Sequence, residues 1–214
     1  MSASVADVSQ QDVLEFWFGI APADEQELMQ KFRRWFHGGD ALDREVVAGF
    51  AHAVDAALGG RLDAWSSRPR GQLALVILLD QFTRSVFRGT PRVYAGDERA
   101  QELALEAFGD GIAEKLPFVE QLFLSLPLLH AESLALQDRE AQIATALATM
   151  APPLWKPMSA MLLEQSAKYR RVIERFGRFP HRNAVLGRSS TPEEIDFLVD
   201  WDVKAPPAGA RLDP

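Results

Sequence analysis

The sequence contains no cysteine. This absence excludes disulfide bridges, thiolate zinc sites, iron–sulfur clusters and a cysteine nucleophile. Long hydrophobic runs are also missing, because the longest, Leu73–Leu79, falls far short of the ~20 apolar residues that span a bilayer. The first twelve residues show neither a basic nor an apolar signal region. We therefore expect a soluble, cytoplasmic protein with no secretory signal and no membrane association.

Short sequence motifs that identify well-known binding and catalytic sites are absent as well. No phosphate-binding G-x-x-x-x-G-K-[ST] loop, G-x-G-x-x-G turn, H-E-x-x-H zinc motif or G-x-S-x-G nucleophile elbow occurs. His130-Ala131-Glu132 has the H-x-E spacing of zinc deaminases, but their P-C-x-x-C partner is missing. The four histidines lie too far apart in sequence for a local metal signature. We expect no metal and no other cofactor.

What the chain does contain is typical of one globular domain. Its 214 residues are 47% hydrophobic and 25% charged, and the formal net charge is −7. A chain of this size buries roughly 70% of its surface on folding, which is enough for a single core. These values exclude global disorder, a fibrous chain and a generally basic nucleic-acid binder.

Helix signals dominate, and no segment alternates apolar and polar residues long enough to predict a sheet. The residues predicted to open helices are Ser9, Asp24, Asp40, Pro69, Asp97, Pro117, Ser133, Met158 and Thr191. Leu73–Leu79 is apolar on all sides and predicts a central buried helix, whereas Pro127 predicts a break or kink. We predict an all-α single domain of antiparallel helix pairs over residues 1–204, with a disordered Pro-rich tail over 205–214.

Basic residues are concentrated in residues 168–188, which carry seven basic side chains and one acidic one. This segment has a formal charge of +6, so the rest of the chain carries −13. Such a cluster either binds an anion or pairs with the protein's own carboxylates. Thirty Asp and Glu residues make the second alternative strong, and both stay open at this point.

Two polar segments precede the basic one. In the first, Asp80 lies four residues before Arg84, which suits an intrahelical ion pair, and Gln81 shares a helix face with Arg84. In the second, His130 and Glu132 follow a proline that frees backbone carbonyls. These two side chains either satisfy the freed carbonyls or form an acid–base pair.

The third polar segment is the loop 176–183. Gly177 is predicted to end a helix, and Pro180 holds the residue before it extended. The donor-bearing side chains of this loop are Arg178, His181, Arg182 and Asn183. Because guanidinium groups bind carboxylates and phosphates in a bidentate way, the loop is a candidate anion site.

These segments together resemble an uncharacterised bacterial family, domain of unknown function 924. The matching motifs are V-L-E-F-W-F-G at 13–19, L-D-Q-F-T-R-S-V-F-R-G-T at 79–90, L-P-L-L-H-A-E-S at 126–133 and R-F-G-R-F-P-H-R-N-A-V-L-G-R-S-S-T-P-E-E at 175–194. The resemblance implies a tetratricopeptide-like, right-handed α-α superhelix of stacked helix pairs. It implies no established activity, substrate or cofactor.

Four positions depart from the family pattern. Thr83 and Ser85 stand where the pattern has Pro and Asn, Ala131 replaces Ser, and Tyr169 replaces His. An enzyme mechanism that depends on a hydroxyl at 131 or an imidazole at 169 is therefore closed to this chain.

Two functions of different class remain. The first is a binding protein for an anionic small molecule or a peptide carboxylate, with its site at Asp80, Gln81, Arg84, Arg178, His181, Arg182 and Asn183. The second is a hydrolase-type enzyme that combines acid–base chemistry with an arginine anion site. Its candidate catalytic residues are His130, Glu132 and His181. Nucleic acid is not an expected partner, because the charge of −13 outside the basic segment repels a polyanion. Catalysis and the oligomeric state stay open.

Overall fold

The structure, a computed structural model, describes residues 8–204. This part of the chain folds into helices joined by short turns and contains no β-strand. The tail predicted to begin at residue 205 lies outside the described residues. The helices are α1 (Gln10–Phe18), α2 (Glu25–His37), α3 (Gly39–Leu58), α4 (Pro69–Val76), α5 (Thr83–Val86), α6 (Asp97–Gly109), α7 (Phe118–Leu129), α8 (Leu134–Met150), α9 (Lys156–Phe176) and α10 (Pro192–Lys204).

Side-chain caps begin several of these helices as the sequence predicts. Ser9 and Asp12 form a capping box at α1, in which each side chain accepts a hydrogen bond from the other residue's backbone N–H. Asp24 caps α2 by accepting from a backbone N–H one turn later. Thr191 and Glu194 form the same reciprocal arrangement at α10. These local signals place three helix starts correctly.

Two predicted helix starts are wrong by one or two residues. Helix α3 begins at Gly39 rather than after Asp40, and no side chain caps it. Helix α9 begins at Lys156 rather than Met158, because Pro157 occupies the first turn, where a helix needs no N–H donor from it. Both errors are the ordinary uncertainty of a helix end.

The centre of the fold is the segment Leu73–Phe82, in which no residue is more than 2% exposed. It starts in α4 and continues as a π-helical segment, Ile77–Phe82, before α5 begins. Helices α1, α3, α6 and α7 pack around it. The prediction of a central buried helix over Leu73–Leu79 is therefore confirmed, with a π-helical segment that the sequence did not predict.

An aromatic cluster joins the first two helices to α7. The ring of Phe123 lies 4.9 Å from Trp35, 5.3 Å from Phe18, 5.7 Å from Trp17 and 6.0 Å from Phe36, measured between ring centroids. The indole N–H of Trp35 also donates to the Trp17 carbonyl at 2.8 Å. Edge-to-face aromatic pairs add about 0.5–1.5 kcal/mol each to the burial of their surface. This cluster fixes α1 and α2 against the core.

Helices α7, α8 and α9 follow one another through short connections, and the α8–α9 contact is the most extensive in the fold. The α8–α9 contact buries a carboxyl group. Glu140 of α8 is fully buried, and neither of its oxygens has a well-formed hydrogen bond. Burial raises the pKa of Glu140 to about 7, an effect that the Ser166 hydroxyl partly offsets. Glu140 is therefore largely protonated in the folded protein below neutral pH.

We expect Glu140 to make the protein less stable as the pH rises. The unfolded chain releases this proton near pH 4.5 and the folded chain near pH 7, so stability falls across that window and then levels off. Glu140→Gln should remove this dependence and raise the free energy of unfolding at pH 8 by up to about 3 kcal/mol. Urea denaturation at pH 4.5 and 8 measures it. Glu164→Gln, at an exposed site on α9, is the control, and an unchanged pH profile in Glu140→Gln would contradict the prediction.

A close backbone approach holds the π-helical segment in place. A Cβ atom added to Gly96, just before α6, would lie 2.3 Å from the carbonyl oxygen of Leu79. Only glycine allows this contact, because no side chain can move aside to relieve a clash with backbone.

Gly96→Ala should therefore destabilise the protein by about 2–3 kcal/mol. Gly49→Ala is the matched control, because a Cβ atom there meets nothing within 4 Å and alanine favours the helix. Chemical denaturation of both variants measures the difference. Equal stabilities of the two variants would show that the contact has no such role.

Candidate functional site

The π-helical segment carries a buried carboxylate. Asp80 is fully buried, and one of its oxygens lies 2.8 Å from Nδ1 of His130 and 3.4 Å from the Arg84 guanidinium. Its other oxygen accepts a hydrogen bond from the Gln81 amide at 2.7 Å. Burial alone raises the pKa of Asp80, but His130, Arg84 and Gln81 outweigh it and hold the pKa well below its ordinary value. Asp80 is thus a charged group inside the core.

Arg84 links Asp80 to a second buried acid. Its guanidinium donates to Oδ1 of Asp97 at 2.7 Å and to the Val93 carbonyl, and it lies over the Tyr94 ring at 5.0 Å. Burial lowers the pKa of Arg84, but Asp97 and Asp80 outweigh it, so the pKa is raised overall. The intrahelical pair between Asp80 and Arg84 exists, but the shorter contact is the one with Asp97.

Arg182 reaches the same acid from the C-terminal loop. It is 4% exposed, and its guanidinium lies 4.5 Å from the ring centroids of both Tyr94 and Phe179. Its closest carboxylate oxygen is Oδ2 of Asp97 at 3.7 Å, beyond hydrogen-bond distance. Among the described residues no acceptor takes a hydrogen bond from this guanidinium, and its Nε is fully buried. Burial lowers the pKa of Arg182, against the opposing effect of Asp97.

The structure thus brings five ionisable side chains into one chain of contacts, which we call the Asp80 network. Its members are His130, Asp80, Arg84, Asp97 and Arg182. Two carboxylates and two guanidiniums balance when the histidine is neutral. Buried atoms without a hydrogen-bond partner nevertheless remain on three members, namely Nε2 of His130 and the Nε atoms of Arg84 and Arg182. Such atoms are rare in protein interiors and indicate a site with unmet donors.

Arg178 and Asn183 lie outside this network, contrary to the site set predicted from the sequence. Arg178 forms a two-pronged ion pair with Glu194 at 2.7 and 2.8 Å and also donates to the Ser189 carbonyl. The Asn183 amide donates to Ser190 and to Glu194. The Arg178 hydrogen bonds lower the pKa of Glu194 to about 2. These groups fasten the loop to the start of α10.

Glu132 has a structural role of the same kind. Its carboxylate accepts from Arg188 at 2.6 and 2.9 Å and from the backbone N–H of Phe179 at 2.8 Å. Burial raises the pKa of Glu132, but these hydrogen bonds outweigh it and the pKa is lowered overall. Glu132 therefore does not orient His130, and the acid that does is Asp80.

The turn around His130 is organised by a residue that the sequence did not single out. Helix α7 continues through Pro127 and ends at Leu129, so the predicted break comes two residues later. The amide of Gln137, in α8, donates to the carbonyls of Leu129 and Ala131 at 2.7 and 2.9 Å. Neither His130 nor Glu132 is needed to satisfy these carbonyls. His130 is consequently free to contact Asp80.

His181 faces a different part of the molecule. Its ring stacks on the indole of Trp201 at 5.5 Å and lies 5.4 Å from the Phe179 ring. The guanidinium of Arg182 also lies over the Phe179 ring. Phe179 thus contacts both His181 and Arg182 and separates these two neighbours in the loop. The predicted site residues therefore divide into a buried network and a set of structural contacts at α10.

Two members of the site were missed as site residues at the sequence level. The sequence predicts Asp97 only as a helix start, and it gives no signal for Tyr94. Asp97 lies 85 positions from Arg182, so no local spacing relates them. The signal that remained was the acid excess of the chain, which indicated that internal carboxylates would pair with the basic segment.

Two further kinds of feature are absent from residues 8–204. Within that range no group of three or more His, Asp or Glu side chains is arranged to hold a metal ion. No helix there combines the length and the apolar character needed to cross a membrane.

Comparison with known proteins places the chain in a family. The sequence profile of a group described as bacterial protein of unknown function (DUF924) matches residues 13–201. The chain is also similar to a solved protein of unknown function from Agrobacterium tumefaciens, with 34% identity and a TM-score of 0.73. That match covers 89% of this chain and 97% of the other. No curated protein matches the sequence. The chain belongs to the DUF924 family of bacterial proteins.

Proposed function

We propose that this protein binds a ligand through an anionic group, a carboxylate or a phosphate, held by Arg182 with Arg84 beside it. The observation that carries the proposal is the guanidinium of Arg182, which is buried and donates no hydrogen bond to any described residue. A guanidinium that covers aromatic rings with its faces keeps its N–H groups at the edge, where they bind an anion in a bidentate way. The site predicted from the sequence is thereby reduced to Asp80, Gln81, Arg84 and Arg182, with Tyr94 and Asp97 added.

Asp97 is an internal competitor for the ligand. It neutralises both arginines, through a 2.7 Å contact with Arg84 and a looser 3.7 Å contact with Arg182. The looser contact is the one that a ligand carboxylate or phosphate replaces at lowest cost. Tyr94 is half-buried and the Asp97 side chain is 12% exposed, so the network meets the surface on this side.

The helix order supports a stacked arrangement for the proposed binding protein. Helices α6, α7, α8 and α9 each pack on the next along the chain. We infer that these pairs form the tetratricopeptide-like, right-handed superhelix that the family resemblance implies. In such a superhelix the concave side is the usual ligand surface.

Anion binding should raise the melting temperature of the wild-type protein. At about 100 times the dissociation constant, inorganic phosphate or succinate should add about 2.7 kcal/mol, or roughly 5–10 °C for a chain of this size. Arg182→Gln should abolish the shift, because it removes the guanidinium. Asp97→Asn should produce the shift at lower anion concentration, because it removes the competing carboxylate. Thermal-shift assays measure both effects.

The matched control is Arg92→Gln. Arg92 is 60% exposed and pairs with Asp55 on the surface, so this variant should retain the wild-type response. Circular dichroism establishes that each variant is folded. An identical anion response in Arg182→Gln and the wild type would refute the proposed site, and so would the absence of a response in Asp97→Asn.

One observation favours a second function, acid–base catalysis of the hydrolase type. The Asp80 carboxylate holds Nδ1 of His130 at 2.8 Å, which orients the ring and leaves Nε2 to accept or donate a proton. Nε2 has no hydrogen-bond partner among the described residues. Arg84 and Arg182 supply positive charge for a developing oxyanion.

If this second function operates, a panel of esters and phosphoesters should contain a substrate that the wild-type protein hydrolyses and His130→Gln does not. General acid–base catalysis contributes typically 10²–10⁴-fold, so the loss should be of that size. His52→Gln, at an exposed histidine of α3, serves as control. Equal turnover by His130→Gln and the wild type would eliminate His130 as the acid or base.

A further inference from the structure

The charge of the Asp80 network can be counted from its five buried members. They contact one another in a line, with 2.8 Å from His130 to Asp80, 3.4 Å from Asp80 to Arg84, 2.7 Å from Arg84 to Asp97 and 3.7 Å from Asp97 to Arg182. Two carboxylates balance two guanidiniums while the histidine is neutral. An anion bound at Arg182 adds a third negative group, so the network then lacks one positive charge.

His130 is the member that can supply this charge at the smallest cost in contacts. The two arginines are charged already. A proton on Asp97 would weaken its 2.7 Å hydrogen bond with Arg84, and the pKa of Asp80 is held well below its ordinary value by His130 and Arg84. Histidine, in contrast, ordinarily changes its charge between pH 5 and 8.

The position of the His130 ring shows where the added proton goes. Because an ionised carboxylate only accepts hydrogen bonds, Nδ1 of His130 donates to Asp80 and carries the proton of the neutral ring. The second proton is therefore added at Nε2, which has no hydrogen-bond partner among the described residues. The hydrogen bond to Asp80 stays in place when His130 becomes charged.

Few other charged groups are buried around His130. Among the charged side chains of the elements that pack against α7, only Asp80, Asp97 and Glu140 are buried. Glu140 lies in the α8–α9 contact, and because burial raises its pKa to about 7, an experiment has to separate its titration from that of His130. The acids in and just after α7 form the pairs Glu120–Arg70 and Glu132–Arg188.

We propose that an anion bound at Arg182 draws one proton from solvent onto Nε2 of His130, so that ligand binding and protonation of His130 favour each other. This inference rests on the proposed anion site and concerns its regulation. Charges in a buried site are weakly screened, so the coupling extends along the line of contacts. By linkage, the proton increases the affinity for the anion by the same factor as the anion increases the affinity of His130 for the proton. The site therefore binds its ligand more tightly as the pH falls.

Isothermal titration of the wild-type protein with succinate tests the coupling. Succinate is the probe because its carboxylates stay ionised above about pH 6.5, whereas phosphate titrates in this range. Near pH 7 the binding heat should depend on the ionisation enthalpy of the buffer, with an uptake approaching one proton for each succinate bound. The affinity should fall by up to about tenfold for each unit by which the pH is raised toward 8.5.

Two variants assign the proton. His130→Gln should bind succinate without proton uptake and with an affinity independent of pH, because the glutamine amide can donate to Asp80 but does not titrate. Glu140→Gln is the matched control, because it removes the other buried group that titrates near pH 7 and should retain the uptake. Nuclear magnetic resonance of the wild-type protein gives a readout without a variant. At pH 7.5, succinate should shift the ring signals of one of the four histidines toward the protonated form.

Four results would overturn the proposal: succinate binding to the wild type without proton uptake, equal uptake in His130→Gln and the wild type, loss of uptake in Glu140→Gln, or no change in any histidine signal when succinate binds. These results leave the anion site itself in place. The absence of succinate binding would refute the anion site and this inference together. The two failures can therefore be distinguished.

Discussion

The negative charge of Asp80 is the constraint on which the arrangement of the site depends. An unpaired carboxylate in the core of a protein costs several kcal/mol, so its partners have to be positioned with it. They come from the end of α7 as His130 and from α5 as Arg84, which is itself held by Asp97 at the start of α6. Three elements that are distant in sequence are thus fixed by the need to neutralise one buried group. The central π-helical segment and the glycine contact at Leu79 belong to the same arrangement.

The arginines of the basic segment 168–188 differ in whether they form ion pairs with the protein's own carboxylates. One group forms ion pairs with the protein's own carboxylates, and its members are Arg170, Arg175, Arg178 and Arg188. Arg182 is buried beside an acid that it does not fully engage, and Arg171, on the surface, forms no ion pair with any described residue. Internal pairing, one of the two alternatives drawn from the sequence, therefore applies to these four arginines, and ligand binding is proposed only where such a pair is missing or loose. Proximity in sequence does not make these side chains one patch.

Local signals allowed most of the helices to be predicted, whereas the site depends on contacts that no local signal encodes. The cap at Ser9 and the capping box at Thr191 each involve residues three apart, so their geometry is written in the sequence. The partnership of Arg182 with Asp97 is not, because only the packed helices bring these residues together. The π-helical segment could not be predicted for another reason. An uninterrupted apolar run has no periodicity from which α and π geometry can be distinguished. From the sequence alone Glu140 is expected to be a solvent-exposed acid on a helix. The structure shows that it is buried in the α8–α9 contact.

The end of α9 separates the basic segment into two parts. Gly177 adopts a left-handed conformation, with φ of 69°, and turns the chain after the helix. Residues before this turn, such as Arg171, project from α9 toward α10, whereas Arg182 returns to the acid at the start of α6. Phe179, fully buried between Tyr169 and Arg182, holds the returning loop. The turn therefore places Arg182 at the internal network, whereas Arg171 stays on the surface of α9.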